Sequence, residues 1–496
     1  MIGISCIIST LAIFPSYLIL KKYIDPIYAI LGAIAVTTLI AINFFSFSLM
    51  LENLFIPLLL FTLLAIIEAF DTNALHWQIM AGVSVASLEI TRTLGQIIEL
   101  SFIVTFLLYL LFNRKLGIVK IFKEKMAMLI AFFIIFAFWH VFLYMASNAS
   151  IEIAGTNSGG NMGENAGNVG ASYNTFGMLS GISFAFDNLT DLIVSIKIFL
   201  NHINYLVLAS FFVPLFTVYY LLIRADKNIE TGQGYKYGLL YIYLSVLVTL
   251  LSVTIIVMGM MGSMAEIHFG LGRYLDPFLA PVIILGLVNI FNVNSIDLKK
   301  RLFNHVFFVE AVVLFILFIS FYDLNIFFDP ADFVNNPSMT YLFKLVDPYL
   351  LLIVIVAISV ISTSLLLLSS IEKRAIAVFL LFIITSSILA SYITYGAIVS
   401  ESNFRARNDI SLYLENNSND KTLLIIDKNM TLNDLNLAGS VYGFWNIGDE
   451  NKLDINDSHV LKLFINNVYI ITKNNLTYTR VAADNGFILY KNQSIS

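Results

Sequence analysis

Cysteine, proline, tryptophan and charge are all scarce in these 496 residues: one cysteine, nine prolines, three tryptophans and a charged fraction of 12%. A lone cysteine excludes an internal disulfide and a cysteine-based metal site. Cys6 falls in the first apolar run, where it reads as packing. The net charge of −5, with basic residues scattered through short loops, gives no face for nucleic acid. No signal peptide precedes the first apolar run.

Hydrophobic residues make up 58% of the chain. A hydrocarbon core of about 30 Å needs roughly 20 apolar residues per helix. On that ruler about twelve spans are expected, near 2–20, 27–45, 54–70, 78–92, 97–112, 126–146, 204–223, 238–258, 277–293, 303–322, 349–369 and 375–398. The runs are continuous rather than alternating, which favours helices over a barrel. The 42 Phe and 24 Tyr suit lipid-facing surfaces and interfacial belts. The expected fold is a polytopic α-helical membrane protein, 1–399, carrying a small C-terminal extracytoplasmic α/β domain, 400–496. An outer loop, 147–203, interrupts the membrane part.

Orientation follows from Lys and Arg. Lys21, Lys22, Arg114, Lys115, Lys120, Lys123, Lys125, Arg224, Lys227, Lys236, Lys299, Lys300, Arg301, Lys373 and Arg374 gather in loops of one side, which is therefore cytoplasmic. The tail is then outside. Asn-x-Ser/Thr acceptors at Asn148, Asn188, Asn416, Asn429, Asn456, Asn475 and Asn492 lie on that same face. An even span count also puts Met1 outside, as though a leading helix and its outer loop were missing. Within the outer loop, Phe184–Leu200 has apolar groups at helical spacing. That suits a helix lying flat on the membrane, or equally a core helix packed under the tail. In the tail, Thr422–Asp427, Val468–Thr472 and Gly486–Tyr490 read as strands. The tail has no Gly-rich phosphate loop, triad spacing or metal cluster, which suits a binding or shielding module.

Ionisable groups beside apolar spans are the informative positions, because each is costly unless paired or wet. Glu52, Glu89, Arg92 and Glu99 fall at the outer ends of early helices. Glu266, His268, Arg273 and Asp276 crowd one later outer loop. Glu89 and Arg92, three apart on a helix, are spaced to pair, as are Arg273 and Asp276 in their loop. Together the two clusters suggest a polar cavity at the external boundary. Arginine grips phosphate bidentately, and carboxylates hold a divalent cation or take a proton. Glu68, His140, His305 and Glu310 read as structural.

Three stretches resemble the GT-C superfamily of polyprenyl-phosphate-sugar transferases, the group of the protein O-mannosyltransferases and lipid A aminoarabinose transferases. They are Ser46–Pro57 with its Ser-x-x-Leu-Glu-Asn-Leu-Phe run, Ile90–Gly95, and Gly272–Pro281. The resemblance implies a lipid-phosphate-linked sugar donor, inversion at the sugar and an acidic base in the first outer loop. This chain offers no residue for that base. On this reading Arg92 and Arg273 hold the donor phosphate, while Glu52, Glu266 and His268 position the acceptor or a divalent cation. The expected partners are a polyprenyl-phosphate-linked sugar, membrane lipids and an external lipid, glycan or protein acceptor. The rival functions are a catalytically inactive membrane scaffold presenting the tail, and a lipid or polysaccharide transporter. A transporter usually has repeated halves and charges at the midplane, and neither is evident in the sequence.

Overall fold

The computed structural model describes residues 2–47, 51–157, 187, 189–224, 232–261, 272–291 and 348–406, and five strands beyond them. The chain divides into two compact units, Met1–Thr394 and Tyr395–Ser496.

The first unit is helical because its apolar runs leave backbone groups no partner in lipid except the helix itself. Helices α1 (Ile2–Thr10) and α2 (Ile13–Tyr23) together make one apolar span. Next come α3 (Pro26–Thr37) and α4 (Ile40–Phe47), bent by 53° as a broken span. Pro26 stands in the first turn of α3, where its missing N–H costs nothing. Helices α5 (Glu52–Asp71), α6 (Leu75–Thr91), α7 (Leu94–Phe112) and α8 (Ile118–Asn157) follow. After residues 158–186 the chain resumes with α9 (Leu189–Ala209), α10 (Val213–Arg224) and α11 (Gln233–Met261). The last three helices are α12 (Asp276–Phe291), α13 (Pro348–Ile371) and α14 (Lys373–Ala406).

Among the described residues, seven helical spans are long and apolar enough to cross a membrane, or eight with the bent pair. About twelve were expected. The span expected at 303–322 lies outside the described residues, and α12 is a shorter apolar helix. One boundary differs in kind. The segment expected either to lie flat or to pack as a core helix runs, from Leu189, as α9 into the bundle, where Ile198 packs with Val253, Val257 and Met258 of α11. The break expected near residue 203 falls instead at Phe211 and Phe212, both left-handed at φ 55° and 65°. That conformation is costly for bulky residues.

Two helices form the centre. Helix α5 packs on α1, α2, α6, α11 and α12, while α12 also meets α2, α3, α10 and α13. Every residue of α12 from Asp276 to Ile290 is buried. By contrast α8 offers Phe133, Ile134, Phe138, Val141 and Phe142 outward, as a lipid-facing helix does.

Polar groups fasten the C-terminal end of α5. Lys22 Nζ lies 2.6 Å from Glu68 Oε1 and 2.9 Å from Asp71 Oδ2. The Gly234 N–H donates to Asp71 at 2.6 Å. Buried Lys125 donates its ammonium to the carbonyls of Ala69 and Thr72, closing the helix end.

The second unit holds strands β1 (Leu423–Asp427), β2 (Lys452–Leu453), β3 (Val468–Thr472), β4 (Thr479–Asp484) and β5 (Phe487–Lys491) in the order β2-β1-β3-β5-β4. β1 pairs in parallel with β2 and β3, and β5 runs antiparallel to β3 and β4. Three of these strands coincide with the apolar runs read from the sequence.

Candidate functional site

The candidate site is built where α5 and α12 begin. Each opens with an acid, Glu52 and Asp276, placed against the positive end of its helix. Glu52 is almost wholly buried, so its charge demands a partner inside the protein. It has two. Arg92 Nη1 lies 2.8 Å from Glu52 Oε1, and Arg273 Nε donates to the same oxygen at 2.9 Å.

Local structure explains how both arginines arrive. Helix α6 ends at Thr91, and Arg92 is extended (φ −163°, ψ 144°), so its side chain leaves the helix face. The Gly95 N–H donates to the Arg92 carbonyl at 2.8 Å and closes the turn into α7. A Cβ on Gly95 would stand 2.2 Å from the Glu89 nitrogen, so only glycine fits there. From the other side, Gly272–Tyr274 forms a single 3₁₀ turn before α12. That turn sends Arg273 to Glu52 and sets the Tyr274 ring 4.8 Å from Arg92 Cζ, a cation–π contact.

Burial pulls the Arg92 guanidinium below its ordinary range; Glu52 opposes that shift and Arg273 adds to it. Asp276 also acts on Arg92 and accepts a 2.7 Å hydrogen bond from the buried Tyr205 hydroxyl. Side-chain exposure separates the roles: Glu52 is 2% exposed and Arg92 8%, but Arg273 is 30% exposed. Arg273 is the cation presented outward. Among the described residues Arg273 is held through Nε, and a guanidinium so held carries further donors on its two η nitrogens.

The structure therefore brings Glu52, Arg92 and Arg273 together. Glu266 and His268 lie outside the described residues. The expected Glu89–Arg92 pair is corrected, because Arg92 has left the helix that would have aligned the two. Glu89 instead accepts a 2.9 Å hydrogen bond from Gln96, meets the Glu99 carboxyl and faces His140, with Nε2 at 3.7 Å from its Oε2. Arg273 pairs with Glu52, an acid from 221 positions away. Sequence reading missed Tyr205, Tyr274, Gln96 and the place of His140. Only Tyr274, adjacent to Arg273, carried a usable signal.

No protein-family profile and no curated protein matches the chain. Solved structures do. Over 99% of this chain and 83% of the other, it is similar to the crystal structure of ArnT from Cupriavidus metallidurans bound to undecaprenyl phosphate, with TM-score 0.50 and 13% identity. The apo state of the same protein aligns with TM-score 0.45 and 11% identity, over 98% and 82% of the two chains. The likeness shows the fold: this multi-pass helical chain is folded like ArnT.

Proposed function

We propose that this protein is a membrane glycosyltransferase that moves a sugar from a polyprenyl-phosphate donor to an acceptor at the outer face of the membrane. The observation that carries the reading is the convergence of Arg92 and Arg273 on one oxygen of Glu52. The carboxylate holds the two guanidinium groups at a fixed spacing before any ligand arrives. A phosphate then meets preorganised donors, which a loose pair of surface arginines would not supply.

Position supports the same reading. Glu52 and Asp71 bound a helix of 20 residues, about 30 Å at 1.5 Å per residue, which matches the hydrocarbon thickness. The Asp71 end carries Lys22 and Lys125 and belongs to the basic, cytoplasmic side. The Glu52 end is then external, at the level where a lipid phosphate sits. The solved relative of like fold was crystallised with undecaprenyl phosphate. A chain of about twelve spans with an extracytoplasmic α/β tail completes the proposal.

The test uses full-length protein in membranes and undecaprenyl phosphate carrying a labelled sugar. Wild-type protein should consume donor, and Arg273→Ala should abolish consumption while the protein stays inserted. Equal consumption by the variant would remove Arg273 from the site. No consumption by wild-type protein with any sugar tried would leave the reading without support.

A further inference from the structure

Glycosyl transfer to a hydroxyl needs a group to take the acceptor's proton, and Glu52 is poorly suited because two guanidiniums occupy its Oε1. A second cluster lies on the other side of the same tight turn. Glu89, from the last turn of α6, is buried and takes the Gln96 amide on Oε1. Its Oε2 is buried with no hydrogen bond. Glu99, near the start of α7, is buried and interacts with the Glu89 carboxyl. Its Oε1 is likewise buried without a hydrogen bond. Tyr241 of α11 also keeps a buried hydroxyl with no hydrogen-bond partner among the described residues. These atoms have no partner among the described residues, and a buried polar atom in that state calls for an explanation.

The cluster opens outward at one residue. His140 of α8 has 41% of its side chain exposed, and its Nε2 is the basic atom facing Glu89 Oε2. The Phe136 ring stands edge-on at 4.2 Å and limits how the imidazole turns. His140 comes 15 residues after Lys125 at the basic end of α8, about 22 Å along the helix, which places it in the outer half of a hydrocarbon core of about 30 Å.

Resting on the reading above, we infer that His140 is the proton acceptor for the attacking hydroxyl, and that Glu89, backed by Glu99 and Gln96, is its positioning residue. The imidazole holds its Nε2 proton toward Glu89 and offers Nδ1 to the acceptor. In the step, the acceptor oxygen bonds to the anomeric carbon of the sugar as the bond from that carbon to the phosphate oxygen breaks. The electron pair leaves with polyprenyl phosphate, and the hydroxyl proton passes to His140 Nδ1. Glu89 then faces an imidazolium and stabilises it, as a buried carboxylate does behind a catalytic histidine. A separation of 3.7 Å is of the kind that tightens when substrate binds.

The experiment measures consumption of undecaprenyl phosphate-linked labelled sugar in membranes containing the full chain, together with binding of undecaprenyl phosphate to purified protein. His140→Ala should lower turnover about 100-fold or more, the usual share of a general base. Donor KM and lipid binding should stay within about threefold, because those depend on the arginines. Free imidazole should restore about tenfold of the loss, which a purely structural histidine would not show. Glu89→Gln should also lower turnover, and adding it to His140→Ala should cost little more, since the two act as a unit. If a Gln variant fails to fold, the imidazole rescue of His140→Ala decides by itself. Normal turnover in His140→Ala, or multiplicative losses in the double variant, would overturn the relay and leave the glycosyltransferase reading standing. A wild-type protein that binds undecaprenyl phosphate and transfers no sugar would overturn that reading, and the relay with it.

Discussion

Arg273 donates from Nε to Glu52 Oε1 at 2.9 Å, across 221 positions of sequence. The contact ties the entry of α12 to the entry of α5, the two helices that form the centre of the bundle. It is therefore a structural tie as well as part of the proposed phosphate site, and mutations at its two ends should behave differently.

Glu52→Ala should destabilise the protein strongly. Removing the carboxylate leaves the buried Arg92 facing Arg273 with no anion between them. Breaking a buried pair by deleting one partner costs about 3 kcal/mol or more. Thermal unfolding in detergent checks this, and a melting temperature equal to that of wild type would refute it.

Arg273→Lys should fold normally and still fail. Its parent side chain is partly exposed, so stability should change little. A lysine is a point charge and cannot hold Glu52 while offering a planar fork to phosphate. Undecaprenyl phosphate affinity should fall about tenfold or more, in line with the worth of a charge-assisted hydrogen bond. Titration of the lipid against purified protein gives the answer.

Gly95→Ala should disturb Arg92 without touching it. The new methyl would lie 2.2 Å from the Glu89 backbone nitrogen, so the turn must open. Loss of donor binding and a lowered melting temperature should appear together. A fully stable variant with normal binding would show that the turn tolerates the opening.

The opposite end of α5 offers an internal control. Lys22 is 28% exposed in its side chain, so its bridges to Glu68 and Asp71 are partly screened and Lys22→Met should cost about 1 kcal/mol or less. Lys125→Met should cost more, about 1–3 kcal/mol, because the carbonyls of Ala69 and Thr72, at the end of α5, lose their buried donor. Paired unfolding curves would show whether the order is reversed.

Orientation is testable with the chain's single thiol removed. In a Cys6→Ser background, Lys123→Cys should resist a membrane-impermeant thiol reagent in intact cells. His140→Cys, on the same helix, should react. The opposite pattern would invert the proposed topology.

Much of this site was legible in the sequence, and its wiring was not. Glu52, Arg92 and Arg273 stand out because charge beside apolar runs is costly and rarely idle. Their partners could not be read, because i, i+3 spacing predicts a contact only while the helix lasts. Arg92 is one residue beyond the end of α6. The signal for that ending was Gly95, whose role depends on how close a backbone nitrogen comes in three dimensions. His140 was hidden for a different reason: a single histidine in an apolar run looks like any packed core group. In α9, a helical pattern of apolar groups fits a membrane surface and a protein interior equally, and only the contact of Ile198 with Val253 and Val257 separates them.

Helix α12 spans 16 residues, about 24 Å, and meets protein on every side. A helix in lipid must match the bilayer or tilt, whereas one enclosed by its neighbours answers to neither demand. The gap between Arg273 and Glu52 is consequently set by protein packing alone. Thick and thin membranes should present the incoming phosphate with the same pair of cations.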